Sequence, residues 1–187
     1  MNSGSLRIDH TWTLFLDRDG VINRRIIGGY VTEWSQFEFL PGVLQAVKTF
    51  SDLFGRIIVV TNQQGISKGL MTEDSVQSIH LKMIEMVRIH GGKIDQAYFC
   101  GDFKDSGSLH RKPAPGMAYQ AKKDYPEIDF NRSIMVGDSI SDILFGKSVK
   151  MSTIFISTKS VLQNENPDLI DYVFPDLLSF SKYLFND

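Results

Sequence analysis

The chain has 187 residues, 42% hydrophobic and 22% charged, with a formal net charge of −2 and a pI near 6.1. That length suits one well-buried domain rather than two, and the near-neutral charge excludes a global attraction to nucleic acid or an anionic membrane, so any anion must be held locally. A single cysteine, Cys100, excludes an intramolecular disulfide and a cysteine-only zinc site, and nowhere do eighteen apolar residues run together as a membrane span requires. The expectation is one domain over residues 1–187 in a cytoplasmic monomer, with a polar leader over residues 1–10 that lacks the apolar core of a signal peptide.

Residues 11–16 read as a first strand, and residues 41–53 as a helix with Pro41 near its start and Val43, Leu44, Val47 and Phe50 on one face. Residues 57–60 form a buried-strand run ending in Thr61-Asn62. Thr72 offers an N-cap to a helix that continues to about His90, where Gly91-Gly92 stop it. Residues 96–100 make a third strand and 115–123 a third helix. Residues 133–136 make a fourth strand closed by Gly137-Asp138, with a short helix through Phe145. Residues 151–156 give a fifth strand, 172–174 a sixth, and 177–184 a closing helix. This alternation predicts an α/β fold, a Rossmann-like three-layer sandwich with a mainly parallel central sheet and right-handed crossovers. The spans from Gly20 to Pro41 and from Thr61 to the third strand leave no room for a large cap domain. Phe37, Phe39, Met83 and Met86 read as core packing.

The strand ends carry the polar residues. Strand one runs into Asp17-Arg18-Asp19-Gly20, and two carboxylates spaced i, i+2 need a metal, a cation or a shared proton. Alone, D-x-D-G also occurs in surface turns and calcium loops. Strand two ends in Thr61 and Asn62, which a plain turn would also use. Strand four ends in Gly137-Asp138-Ser139, with Asp142 one helical turn on, where an acid also suits the helix dipole. Between the third strand and third helix lies Arg111-Lys112-Pro113, a sequence that a solvated loop also tolerates. In a parallel sheet all these ends open on one side, so acids, a hydroxyl and a lysine converge as phosphoryl transfer requires.

Four segments in one order resemble the haloacid dehalogenase-like phosphatases, in the branch that holds the heptose bisphosphate phosphatases and the histidinol phosphatases. They are Asp17-Arg18-Asp19-Gly20, Thr61-Asn62, Arg111-Lys112-Pro113 and Gly137-Asp138-Ser139 with Asp142, while Gly29-Tyr30-Val31 with Phe37-Glu38-Phe39-Leu40-Pro41-Gly42, Thr61-Asn62-Gln63-Gln64-Gly65-Ile66 with Lys68-Gly69, and Arg111-Lys112-Pro113-Ala114-Pro115-Gly116 look like the heptose bisphosphatase pattern. The resemblance covers about residues 11–160. It implies that Asp17 is the nucleophile and forms an aspartyl phosphate, and that Asp19 protonates the leaving oxygen and then takes a proton from water. It also implies that Asp17, the main-chain carbonyl of Asp19 and the Asp138 carboxylate hold Mg²⁺. Thr61, main-chain groups near Asn62, and Lys112 would grip the phosphoryl oxygens, with Asp142 positioning Lys112 or a metal-bound water. Many relatives carry a zinc loop before the Arg-Lys-Pro segment. Here Cys100 is followed by Gly101-Asp102, and Ser108-Leu109-His110 stands where a C-x-C pair would be, so zinc is not expected.

The implied function is a Mg²⁺-dependent phosphatase of carbohydrate metabolism acting on a small phosphorylated metabolite. A sugar bisphosphate, D-glycero-D-manno-heptose 1,7-bisphosphate above all, is expected ahead of histidinol phosphate. Lys68 and Arg111 support that choice: they lie beside the phosphate-binding positions, are not required by the chemistry, and would repel a cationic amine. Two other readings compete. A phosphoacceptor receiver domain also forms an aspartyl phosphate, but it has no use for Asp19. A nucleic-acid 3′-phosphatase shares the first motif, but it needs a basic groove that this acidic chain does not offer.

Overall fold

The computed structural model describes residues 7–158 and 168–185. Its frame is one six-stranded sheet, every neighbouring pair parallel, in the order β3-β2-β1-β4-β5-β6. The strands are β1 (Thr13–Leu16), β2 (Arg56–Asn62), β3 (Gln96–Cys100), β4 (Ser133–Gly137), β5 (Ser152–Ile156) and β6 (Tyr172–Phe174). The helices are α1 (Val43–Leu53), α2 (Glu73–Ile89), α3 (Gly116–Asp124), α4 (Ile140–Ser148) and α5 (Leu177–Phe185).

Strand periodicity divides the core into two layers. Leu14, Leu16, Ile57 and Val59 face α1, α2 and α5, where they meet Val47, Phe50, Ile79, Met83 and Phe180. Phe15, Ile58, Val60 and Met135 face the other way, onto Met117, Ala118 and Ala121 of α3 and Phe145 of α4. Helices thus cover both sides of the sheet, the three-layer arrangement expected from the alternating pattern. Between β1 and α1 lie one 3-10 turn, Trp34–Gln36, and the isolated bridges Asp19↔Asn23 and Asn23↔Phe39, with no cap-sized insertion.

Several boundaries differ from the expected ones by a residue or two. The first strand starts at Thr13 rather than residue 11, because the Asp9 carboxylate accepts from Thr11 N and its hydroxyl and holds that residue in a turn. The first helix starts at Val43 rather than Pro41, because Gly42 sits at φ 75°, a left-handed conformation outside the helix. Helix α4 runs on past Phe145 to Ser148. Of the leader expected over residues 1–10, residues 1–6 lie outside the described residues, while Ile8 packs against the core.

The strand order reverses direction at β1, with β2 and β3 to one side and β4 to β6 to the other. The crevice at such a switch point is where open α/β sheets bind ligands. Here it lies between the carboxyl ends of β1 and β4, and Asp17 N extends the pairing by donating to Val136 O at 2.9 Å.

Candidate active site

The chain after β1 turns away at Asp17, whose side chain stays buried under the crevice. Lys112, 3% exposed, projects from the loop before α3 and places Nζ 2.7 Å from Asp17 Oδ1 and 2.6 Å from Asp142 Oδ1. It also donates to Val60 O at 2.7 Å, so all three ammonium hydrogens have acceptors. Burial pushes the Asp17 carboxyl up to about 7, against the pull of Lys112 and with help from Asp142 and Asp138. Burial also works against the Lys112 ammonium, but Asp142 and Asp17 outweigh it and hold its pKa above the ordinary range.

Two paired contacts fix that lysine in place. Asn62 at the end of β2 donates from Nδ2 to Lys112 O and accepts Lys112 N at Oδ1, both at 3.0 Å, which ties the loop to the sheet. Asp142 Oδ2 accepts from Ser139 N and from the Ser139 hydroxyl, so the acid that closes the first turn of α4 also presents Oδ1 to the lysine.

Asp19 lies in a different environment. Its carboxylate accepts from Arg18 Nη2 at 2.9 and 3.1 Å, Asn23 Nδ2 at 2.9 Å and Gln63 Nε2 at 2.8 Å. Burial raises its pKa, but Arg18 and the two amides more than reverse this and hold the carboxyl below its ordinary value. Arg18 is fully buried, and its Nη1 lies 3.1 Å from His80 Nε2 on α2. A guanidinium only donates, so that ring nitrogen is the acceptor; burial and Arg18 together push His80 down to about 3 and keep it neutral.

Carboxylate oxygens of Asp17, Asp138 and Asp142 all lie within 4.8 Å of one another, the one such acid cluster among the described residues. Burial raises Asp138 to about 6 against the neighbouring Arg25. Oxygen donors in this number suit a hard divalent cation. A cation is already drawn to them: Arg25 Nη2 donates to Asp138 Oδ1 at 2.6 Å and to the Asp19 carbonyl at 2.9 Å. Both glycines beside the acids are sterically required. A Cβ on Gly20, at φ 96°, would sit 1.9 Å from Asp138 Oδ2, and one on Gly137 would sit 2.1 Å from Asp142 Cβ.

Asp17, Asp19, Thr61, Asn62, Lys68 and Lys112 line one cleft of about 460 Å³ together with Arg25 and Tyr30, a volume suited to a small molecule. Thr61 is buried at its floor and accepts from Gln63 Nε2 at 2.9 Å. Lys68 reaches over the Tyr30 ring, 5.2 Å from its centroid, at the cleft's edge. Asp138 lies just beneath, against Gly20 and Arg25. Arg111 is placed differently. It lines a neighbouring groove with Lys104 and Leu109, and its guanidinium donates to Asp102 O at 2.9 Å and Gln64 Oε1 at 3.4 Å.

Sequence reasoning missed Arg18, Asn23, Arg25, Gln63 and His80. Gln63 and Asn23 adjoin the motifs and could have been weighed. Nothing local marks His80, one polar residue in a helix, or Arg25, whose partner Asp138 is distant in the chain.

A buried acid-lysine-acid chain, whose two acids join Asp138 in one carboxylate cluster, lies at the switch point of a parallel sheet, an arrangement suited to phosphoryl transfer. Comparison with known proteins agrees. Residues 109–180 match the HAD-hydrolase-like family model. The D-glycero-alpha-D-manno-heptose-1,7-bisphosphate 7-phosphatase of Mycobacterium bovis is 41% identical over 143 residues, covering 76% of this chain and 75% of that protein. The D-glycero-beta-D-manno-heptose-1,7-bisphosphate 7-phosphatase of Pasteurella multocida is 33% identical over 178 residues, covering 91% and 95%. The crystal structure of the D,D-heptose 1,7-bisphosphate phosphatase of B. bronchiseptica, complexed with magnesium and phosphate, superposes with a TM-score of 0.81 at 28% identity, covering 94% of this chain and 98% of that one. The chain belongs to the haloacid dehalogenase-like hydrolases, and within them to the branch of the heptose bisphosphate phosphatases.

Proposed function

We propose that the protein is a Mg²⁺-dependent phosphatase that removes the 7-phosphate of D-glycero-D-manno-heptose 1,7-bisphosphate through an aspartyl phosphate on Asp17. The observation that carries the chemistry is the contact of Lys112 with both Asp17 and Asp142, which places a fixed positive charge between two buried acids of the cleft. The substrate assignment rests on the relatives.

In this reading Asp17 attacks phosphorus and the sugar hydroxyl leaves. Lys112 and the Thr61 hydroxyl hold the phosphoryl oxygens as charge moves onto them. Asp17, the Asp19 carbonyl and Asp138 would hold the metal ion, which supplies positive charge that favours the ionised form of both carboxyls and offsets that of the phosphate. Asp19, kept ionised by Arg18, is poised to take a proton from the water that cleaves the aspartyl phosphate. To serve first as the acid it must take up a proton and turn from Arg18 and Gln63 toward the leaving oxygen.

Lys68 and Arg25 at the cleft edge would meet the substrate's second phosphate. Arg111, held by Asp102 and Gln64 in the next groove, would act on a bisphosphate only after leaving those partners. The Mycobacterium bovis relative, named for the alpha anomer, is 41% identical and the Pasteurella multocida relative, named for the beta anomer, 33%, which favours the alpha anomer.

The test is phosphate release with Mg²⁺ from both anomers, from histidinol phosphate and from an aryl phosphate. The alpha bisphosphate is expected to give the highest kcat/KM, and Asp17→Asn to lower kcat by about a thousandfold or more with the fold retained. A preference for histidinol phosphate would overturn the substrate, and near-normal turnover by Asp17→Asn would overturn the mechanism.

A further inference from the structure

Arg25 has no counterpart in the motifs, yet it lies inside the acid cluster. Its Nη2 is 2.6 Å from Asp138 Oδ1, 2.9 Å from the Asp19 carbonyl and 4.0 Å from Asp17 Oδ2, and Nε reaches the same carbonyl at 3.2 Å. These are the three residues whose oxygens are assigned above to the metal ion. A hard cation would approach them to about 2.1 Å, within a few ångströms of the guanidinium charge, so the two cations repel each other and contend for the same lone pairs.

Two features let the arginine yield. Its side chain is 48% exposed, and the chain beyond it stands away from the core, with Ile27 97% exposed and Gly28 at φ 72°. A guanidinium released from Asp138 has open solvent and the cleft edge to move into.

We infer that Arg25 is a tethered competitor for the metal site: it neutralises the acid cluster until a divalent cation displaces it. The inference rests on the assignment of Asp17 and Asp138 as metal ligands. Its consequence is that part of the metal's binding free energy goes into breaking the Arg25–Asp138 pair, so the observed affinity is weaker than the oxygen set would give alone.

The experiment is Mg²⁺ titration without substrate, read by calorimetry and by thermal unfolding, on the wild type, Arg25→Gln, Arg25→Lys and Asp138→Asn, each checked for fold by circular dichroism. Arg25→Gln is expected to bind Mg²⁺ about five- to tenfold more tightly, the scale of one partly exposed charge-assisted pair. It should also melt lower than the wild type in EDTA and close to it in saturating Mg²⁺. Arg25→Lys, which keeps a charge without the fork, should fall between the two. Unchanged or weaker Mg²⁺ binding by Arg25→Gln, with binding lost in Asp138→Asn, would overturn the role of Arg25 and leave the metal site standing. Wild-type binding by Asp138→Asn would overturn the metal assignment itself.

Discussion

Two of the acids here are made harder to ionise by folding and one is made easier, and the difference lies in what each touches. Asp138 is raised from its ordinary 3.8 to about 6 by burial, so between those values the native state binds more protons than the unfolded chain. The stability this contributes is complete below about pH 4 and is lost as pH climbs through 6. Urea unfolding in EDTA should therefore show the wild type's advantage over Asp138→Asn shrinking from pH 4 to pH 7, and an advantage that grows would contradict the raised value. Asp19 is held below its ordinary value by Arg18, Asn23 and Gln63. If it donates the leaving-group proton, Asp19→Asn should slow sugar phosphates by about a hundredfold or more and activated aryl phosphates far less, since only poor leaving groups need that proton. Equal losses on both would assign Asp19 to the metal site alone.

At the level of elements, the strands were legible because each carries a short apolar run at its centre, and α2 because Thr72 caps it, its hydroxyl accepting from Ser75 N at 3.1 Å. The loop from residue 101 to 110 shows where local patterns stop. Its composition argued against a zinc site, but nothing in it foretold that Cys100 Sγ would lie 3.3 Å from Asp102 Oδ2 and 3.6 Å from Ser108 Oγ. Burial pushes the Cys100 thiol up, against the thiolate a zinc ion requires. Elemental analysis of purified protein is expected to find no stoichiometric zinc. Bound zinc whose removal destabilises the fold would refute this.

On the scale of the whole molecule, the convergence of Asp17, Thr61 and Lys112 followed from topology, because parallel strands send all their carboxyl ends to one side. What topology could not supply was rotamer and pairing. Arg18 reads as a charged turn residue and is fully buried, and Arg25 meets an acid contributed by the far half of the chain. The same strand order carries a kinetic consequence. β2, α2 and β3 are consecutive and close over a short stretch, whereas β1 must pair with β4, setting Thr13 against Ser133 across most of the chain's length. Long-range parallel pairing of this kind is slow, since the entropy of closing the loop is spent before the contacts form. Without the β1–β4 seam Asp17 does not come beside Asp138, so catalytic competence depends on a long-range, slow-forming junction. In refolding from urea, helical circular dichroism should recover ahead of phosphatase activity, and activity should track closure of the seam, followed by hydrogen-exchange protection of the Asp17 amide that donates to Val136 O. Activity that returns in step with the earliest helical signal would show that the seam closes first.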